Sequence, residues 1–276
     1  MTTIIGVDFS GARADKNTWA ARGLLDSDGS LVLESVQSTR REDLYRLLAE
    51  IPVPAVAALD FPFGVPAKFA AFLSPRRLPS DMPDLWKVID SIIADEFIRE
   101  RNRFVIQHGE PKRAGDQKYH PESYSPLHAV NPNMLPMTYR GIRLLRRWHE
   151  EQRYRWRVPP LPLATAADAV VTLLELMPGA LLKSLGLPYK GYKRGRDSIQ
   201  RRTQILDSLS SKSGIQLPNL KAVYKGCIAN DDCLDSVVAA VGAAMWAQNP
   251  DRFRHPADDE LSDAQLEGWI YVPKPA

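Results

Sequence analysis

The chain has 276 residues, 44% of them hydrophobic and 25% charged, with a formal net charge of +3, an ordinary globular mix long enough to bury a sizeable core. Its two cysteines, Cys227 and Cys233, exclude a disulfide framework and suit a reducing compartment. No apolar run approaches the roughly 18 residues of a membrane span. Asp8 and Arg13 interrupt the first apolar stretch before signal length, so a cytoplasmic protein with no membrane partner is expected.

Residues 3–9 read as a buried strand ending near Asp8, and Gly11 permits a turn after it. A returning hairpin strand follows over 17–25, then a third strand over 30–37 after the turn signal "DSDG". Ser38 or Thr39 can cap a helix over about 40–50, which carries Leu44, Leu47 and Leu48 on one face. The run "AVAALD" at 55–60 is a further strand ending in a carboxylate, Asp60, and the prolines of "FPFGVP" stop it. From about 66 to 160 the pattern is helical with irregular gaps, clearest over 84–101 and 135–152. Residues 107–134, rich in Pro, His, Gly and Asn, read as a long loop of the functional or mobile kind. "AVVTLLE" at 169–175 is a third apolar run ending in an acid, Glu175, and "MPGALLKSLGLP" after it is a short helix closed by Gly186. Helices are expected over 196–210 and 231–247, and "GWIYVP" as a final short strand. There is no internal repeat.

The charge is unevenly spread. Residues 140–157 hold seven arginines, at 140, 143, 146, 147, 153, 155 and 157, against two glutamates. Residues 183–202 hold seven cations against Asp197, with Tyr and Gly interleaved in "YKGYKRGR". Such stretches suit phosphate backbones, and interleaved aromatics can stack bases. The plainer reading of the arginine stretch is a solvated helix face.

Three strand-like runs end in Asp8, Asp60 and Glu175. In an open α/β sheet the carboxyl ends of the strands line the crevice where chemistry is placed. Carboxylates that converge there repel, and a hard divalent cation with oxygen preference, Mg²⁺ or Mn²⁺, relieves them. The last helix adds Asp231, Asp232 and Asp235 in its first turns, with Asp232 and Asp235 three apart on one face. Acids at a helix start also complement its dipole, and Asn230 is a good cap. That accounts for Asp231 better than for Asp235, which lies one turn in beside Leu234, Val237, Val238 and Val241. Glu175 has a plainer reading as the partner of an Arg or Lys.

The order of a strand acid in "GVDFSG", hairpin strands, a helix and a second strand acid in "ALDFPFG" resembles the ribonuclease H-like fold. "DDCLDSVVAA" resembles the last helix of RuvC-type Holliday-junction resolvases, where a D-x-x-D pair and an Ala-rich helix complete a metal site. With "LLELMPGALLKSLGLPYKGYKR", the chain over roughly residues 3–248 resembles the domain of unknown function 429 family, predicted ribonuclease H-like nucleases. The resemblance implies an α/β ribonuclease H-like mixed sheet flanked by helices, as a single domain with an insertion at about 66–165 and a C-terminal extension at about 249–276. It makes Asp8 the acid of the first strand, Asp60 that of the fourth, and Asp232 and Asp235 the pair on the closing helix. Glu175 falls on the family's E-x-x-P motif. Residues 99–113 show no clear counterpart of the family's Arg-Thr-Asp-like segment.

The expected activity is metal-dependent phosphodiester hydrolysis, with two Mg²⁺ or Mn²⁺ ions about 4 Å apart sharing Asp8. Asp8, Asp60, Asp232 and Asp235 are the expected ligands, Glu175 a further catalytic candidate. Lys190, Tyr192, Lys193, Arg194 and Arg196 are the expected contacts to a nucleic-acid backbone. Two other readings stand beside it. In one, "DFSGAR" is a phosphate loop of an ATP-using phosphotransferase or hydrolase, with the Ser10 and Gly11 amides on the phosphate. In the other, the chain binds nucleic acid without catalysis.

Overall fold

A computed structural model describes the chain except residues 132, 153–154, 163–169 and 275–276. Arg153, in the arginine stretch, and Ala169, in the third apolar run, lie outside the described residues. The described strands are β1 (Thr2–Asp8), β2 (Thr18–Leu25), β3 (Leu31–Thr39), β4 (Ala55–Asp60), β5 (Trp156–Arg157) and β6 (Val171–Glu175). They form one mixed sheet in the order β3-β2-β1-β4-β6-β5. The hairpin partners β1, β2 and β3 are antiparallel, whereas β1, β4, β6 and β5 run parallel. This is an α/β fold with the arrangement of a ribonuclease H-like sheet. The parallel strands bury both faces, which is why they read as continuous apolar runs.

The helices are α1 (Arg41–Ala49), α2 (Ala67–Leu73), α3 (Met82–Asp90), α4 (Ala94–His108), α5 (Ala114–Tyr119), α6 (Met134–Gln152), α7 (Pro178–Ser184), α8 (Ser198–Ser213), α9 (Tyr224–Ala229), α10 (Asp231–Gln248) and α11 (Leu261–Glu267). One face of the sheet packs residues such as Ile5, Val7, Ala57, Leu59 and Leu173 against α1, α3 and α6. The other packs Ile4, Ala58 and Leu174 against α7, α8 and α10. Every residue of α10 from Cys233 to Trp246 is buried, so this helix is apolar all round, as a central core helix must be.

Four local expectations are corrected. The helix expected over 84–101 is two, α3 and α4, separated at Ser91–Ile93, with Asp81 capping the first by accepting from the Asp84 N–H. The loop expected over 107–134 contains α5. Thr39 ends β3, and α1 has no side-chain cap from Ser38 or Thr39; the Asp15 carboxylate accepts from the Arg41 N–H instead, at 3.1 Å. "GWIYVP" forms no strand, although the Tyr271 N–H donates to the Glu175 carbonyl and a single bridge joins Phe253 to Pro273. No helix among the described residues is long and apolar enough to cross a membrane.

One contact sets the depth of the fold. A Cβ on Gly6 of β1 would lie 2.0 Å from the Ala240 N and 2.2 Å from the Ser236 O of α10. Only glycine on the strand, facing small residues on the helix, allows so close an approach. It brings the first turn and a half of α10 down onto the ends of β1 and β4.

Candidate metal centre

β1 and β4 pair in parallel with Asp8 opposite Asp60, so both carboxyls leave the sheet on the same face at the carboxyl ends of neighbouring strands. The close seat of α10 then places Asp235, fully buried, over them. One oxygen from each of Asp8, Asp60 and Asp235 lies within 4.8 Å of the others, an arrangement that could hold a metal ion. Asp232, half-buried one turn earlier, flanks the group and faces Asp8. Asp231 lies 3.8 Å from Arg202.

Acids packed this closely resist ionisation. Burial, reinforced by Asp235 and Asp60, pushes the Asp8 carboxyl well above the usual carboxylate range. Burial pushes Asp60 up to about 7, against the opposing pull of Lys193. Burial likewise raises Asp235, and burial with its neighbour Asp231 raises Asp232. The donor set is all carboxylate oxygen, as a hard divalent cation prefers.

Glu175 does not join this group. Its register partner on β4 is Leu59, not Asp60. One residue of offset turns a strand side chain to the opposite face. There it forms a buried ion pair with Arg113, at 2.5 and 2.8 Å, and accepts from the Phe63 N–H at 3.0 Å. Arg113 also holds Asp116 at 2.7 Å and donates to the Glu267 carbonyl. Glu267 in turn accepts from the Ala67 and Ala114 N–H groups, both at 2.6 Å. The network ties β6, α2, α5 and α11 together behind the acidic site. Burial raises the Glu175 carboxyl even against Arg113. Spacing within residues 107–134 gave no sign that Arg113 is buried; the nearby Asp116, three residues on, is the one local hint of its pairing.

The "YKGYKRGR" cations divide. Lys193 reaches into the acidic group, its Nζ 2.6 Å from Asp235 Oδ2. The buried Tyr192 hydroxyl donates to Asp235 Oδ1 at 2.9 Å. Lys190 pairs with Glu122 at 2.7 Å, beside Lys183, which holds the same carboxylate at 2.6 Å. Arg194 and Arg196 are exposed. The segment is fixed from behind by α8, whose Arg201 donates to the Lys190 carbonyl at 2.7 Å and whose buried Arg202 donates to the Tyr192 carbonyl at 3.0 Å. Gly191 and Gly195, with φ of 70° and 108°, make the turns on either side of Tyr192–Arg194. The reading of 183–202 as one basic stretch missed that Arg202 is a buried latch; the doubled arginine at the start of α8 is the signal that was available.

The arginines of α6 are largely paired. Arg143 holds Asp90 at 2.7 Å, Arg147 holds Glu42 at 2.7 Å and Glu151 at 3.2 Å, and Arg146 pairs with Glu150. Arg140 donates to the Gly11 carbonyl, and Arg155 to the Ala49 and Ile51 carbonyls. This face carries much of its own counter-charge.

No curated protein and no solved structure matches the chain. One family model does, spanning residues 6–261, from the strand that carries Asp8 to the start of α11. That span takes in each acid of the centre, the Lys193 segment and the Arg113–Glu175 pair, and the chain belongs to the family described as protein of unknown function, DUF429.

Proposed function

We propose that the protein is a metal-dependent phosphodiesterase acting on nucleic acid, a nuclease, whose centre is Asp8, Asp60 and Asp235 with Asp232 at its edge. The observation that carries this reading is the meeting of three carboxylate oxygens within 4.8 Å, two from adjoining parallel strand ends and one from α10, with Lys193 the one cation paired to them among the described residues. The residues present fit Mg²⁺ or Mn²⁺, because the donors are all carboxylate oxygens and burial leaves them under-neutralised. When bound, such an ion polarises a phosphoryl oxygen and acidifies water at neutral pH. The chain itself contributes the fixed geometry of the acids: β1 and β4 hold Asp8 and Asp60, and the Gly6 contact holds Asp235. The exposed Arg194 and Arg196, next to Lys193, are placed to take the phosphodiester backbone of a substrate.

The phosphate-loop reading finds less support. The Ser10 N–H already donates to Thr18 Oγ1 at 3.1 Å, and Gly11 is pressed against the Met137 backbone, where a Cβ would lie 2.0 Å from its N. The Ser10 amide is thus already committed, and Gly11 packs closely on the start of α6.

The test is cleavage of single-stranded, duplex and branched DNA and of RNA, with Mg²⁺, Mn²⁺ or chelator. Wild type is expected to cut at least one substrate in a metal-dependent way. Asp8→Asn should lower that rate by at least about 100-fold, near 2.7 kcal/mol of barrier. Equal cleavage by the two proteins overturns the proposal. Salt-sensitive binding without cleavage, unaffected by Asp8→Asn but lost in Arg194→Ala, would favour the binding module.

A further inference from the structure

Four carboxyl groups gather at this centre, and among the described residues a single side-chain cation enters it. The Lys193 Nζ lies 2.6 Å from Asp235 Oδ2, while the other oxygen of Asp235 accepts from Tyr192. Lys193 also acts electrostatically on Asp8, Asp60 and Asp232, so its charge is felt by every acid of the site. Its side chain is 49% exposed, yet its ammonium reaches a carboxylate that is 0% exposed. That posture is imposed by the chain behind it. Arg202 grips the carbonyl of Tyr192, Arg201 grips that of Lys190, and two positive-φ glycines set the turns. Partial desolvation of the ammonium is offset here by its contact with the buried Asp235 carboxylate.

We infer that Lys193 is the resident monovalent cation of the site and takes the place of a second divalent ion. The inference rests on the reading of the centre as a metal site. Asp235 has one oxygen engaged by Tyr192 and the other by Lys193, so it can share a single divalent ion with Asp8 and Asp60. A second divalent ion at Asp235 would sit against a fixed ammonium a few ångströms away, and like charges at that range repel strongly in a buried site. One divalent ion together with Lys193 matches the three clustered carboxylates charge for charge. Two divalent ions together with Lys193 would exceed all four acids.

The experiment is Mn²⁺ titration of the purified full chain by calorimetry, with bound ion counted independently by electron paramagnetic resonance. Wild type, Lys193→Met, Lys193→Arg and Asp235→Asn are compared. Wild type is expected to bind one Mn²⁺ per chain. Lys193→Met, which keeps the stem and loses the charge, is expected to bind two, or one at least about tenfold more tightly. Lys193→Arg should keep the wild-type stoichiometry, and Asp235→Asn should lose the ion. A thermal melt gives a second readout that a merely structural role would not move: Mn²⁺ raises the midpoint of Lys193→Met by more than it raises that of wild type. Equal stoichiometry, affinity and Mn²⁺-induced shift in wild type and Lys193→Met overturn the role of Lys193 and leave the metal centre standing. Absence of Mn²⁺ binding in both proteins overturns the metal centre itself, and the role of Lys193 with it.

Discussion

Gly6→Ala adds one methyl group where β1 and α10 meet. The new Cβ would lie 2.0 Å from the Ala240 N, 2.2 Å from the Ser236 O and 2.7 Å from the Ala240 Cα, all backbone atoms. Ordinary contact needs about 3.5 Å, so helix and strand must part by about 1.5 Å. Neither can yield cheaply: β1 lies between β2 and β4, and α10 is buried from Cys233 to Trp246. Overpacking of a well-filled core costs about 1–3 kcal/mol, and with no side chain able to rotate away the loss should reach at least about 3 kcal/mol. The same movement draws Asp235, the residue before Ser236, away from Asp8 and Asp60. Ligand distances of about 2.0–2.1 Å for Mg²⁺ do not tolerate a shift of that size. Urea unfolding and Mn²⁺ calorimetry on one preparation should therefore show a lowered midpoint and weakened binding together. Gly179→Ala in α7, where a Cβ meets nothing within 4 Å, is the control and should lose no stability. An unchanged midpoint and unchanged Mn²⁺ affinity in Gly6→Ala would refute the claim that this contact sets the site.

Other outcomes follow from the same structure. Asp60 titrates near 3.8 when unfolded and about 7 when folded, so within that window the folded chain keeps a proton that the unfolded chain releases. The contribution of Asp60 is therefore a loss of stability as pH rises from about 4 to about 7, on the order of 4 kcal/mol. Asp60→Asn should flatten that fall in urea melts across the range, as should saturating Mn²⁺ in wild type; an equally steep fall in the variant would contradict the assignment. Glu175→Gln breaks the buried pair with Arg113 and should cost about 3–5 kcal/mol in the same melts. Its Mn²⁺ affinity should match wild type, whereas an ion lost in Glu175→Gln would place that carboxylate among the ligands.

Much of the centre was legible in the chain. Apolar runs ending at Asp8 and Asp60 read as strands, and their parallel pairing in the sheet brings those ends together. The run after Asp235 read as a helix with an apolar face, and the structure buries it on all sides because small residues let it sit close to the sheet. Glu175 carried the same local signature as the other two acids and yet lies out of reach, because its strand pairs one residue out of step with Asp60. Periodicity within a strand says that faces alternate; which face a given residue takes depends on the register with a partner more than a hundred residues away. Lys193 and Lys190 look alike in "YKGYKRGR", but one reaches the buried Asp235 and the other pairs outside with Glu122. The sequence by itself determined the sheet's main strands, its closing helix and which of them end or begin in acids, since helix and strand periods are local properties of the chain. Only the tertiary structure decided which charges meet, because that rests on strand register, on the closeness of α10 to Gly6 and on a loop gripped from behind by α8.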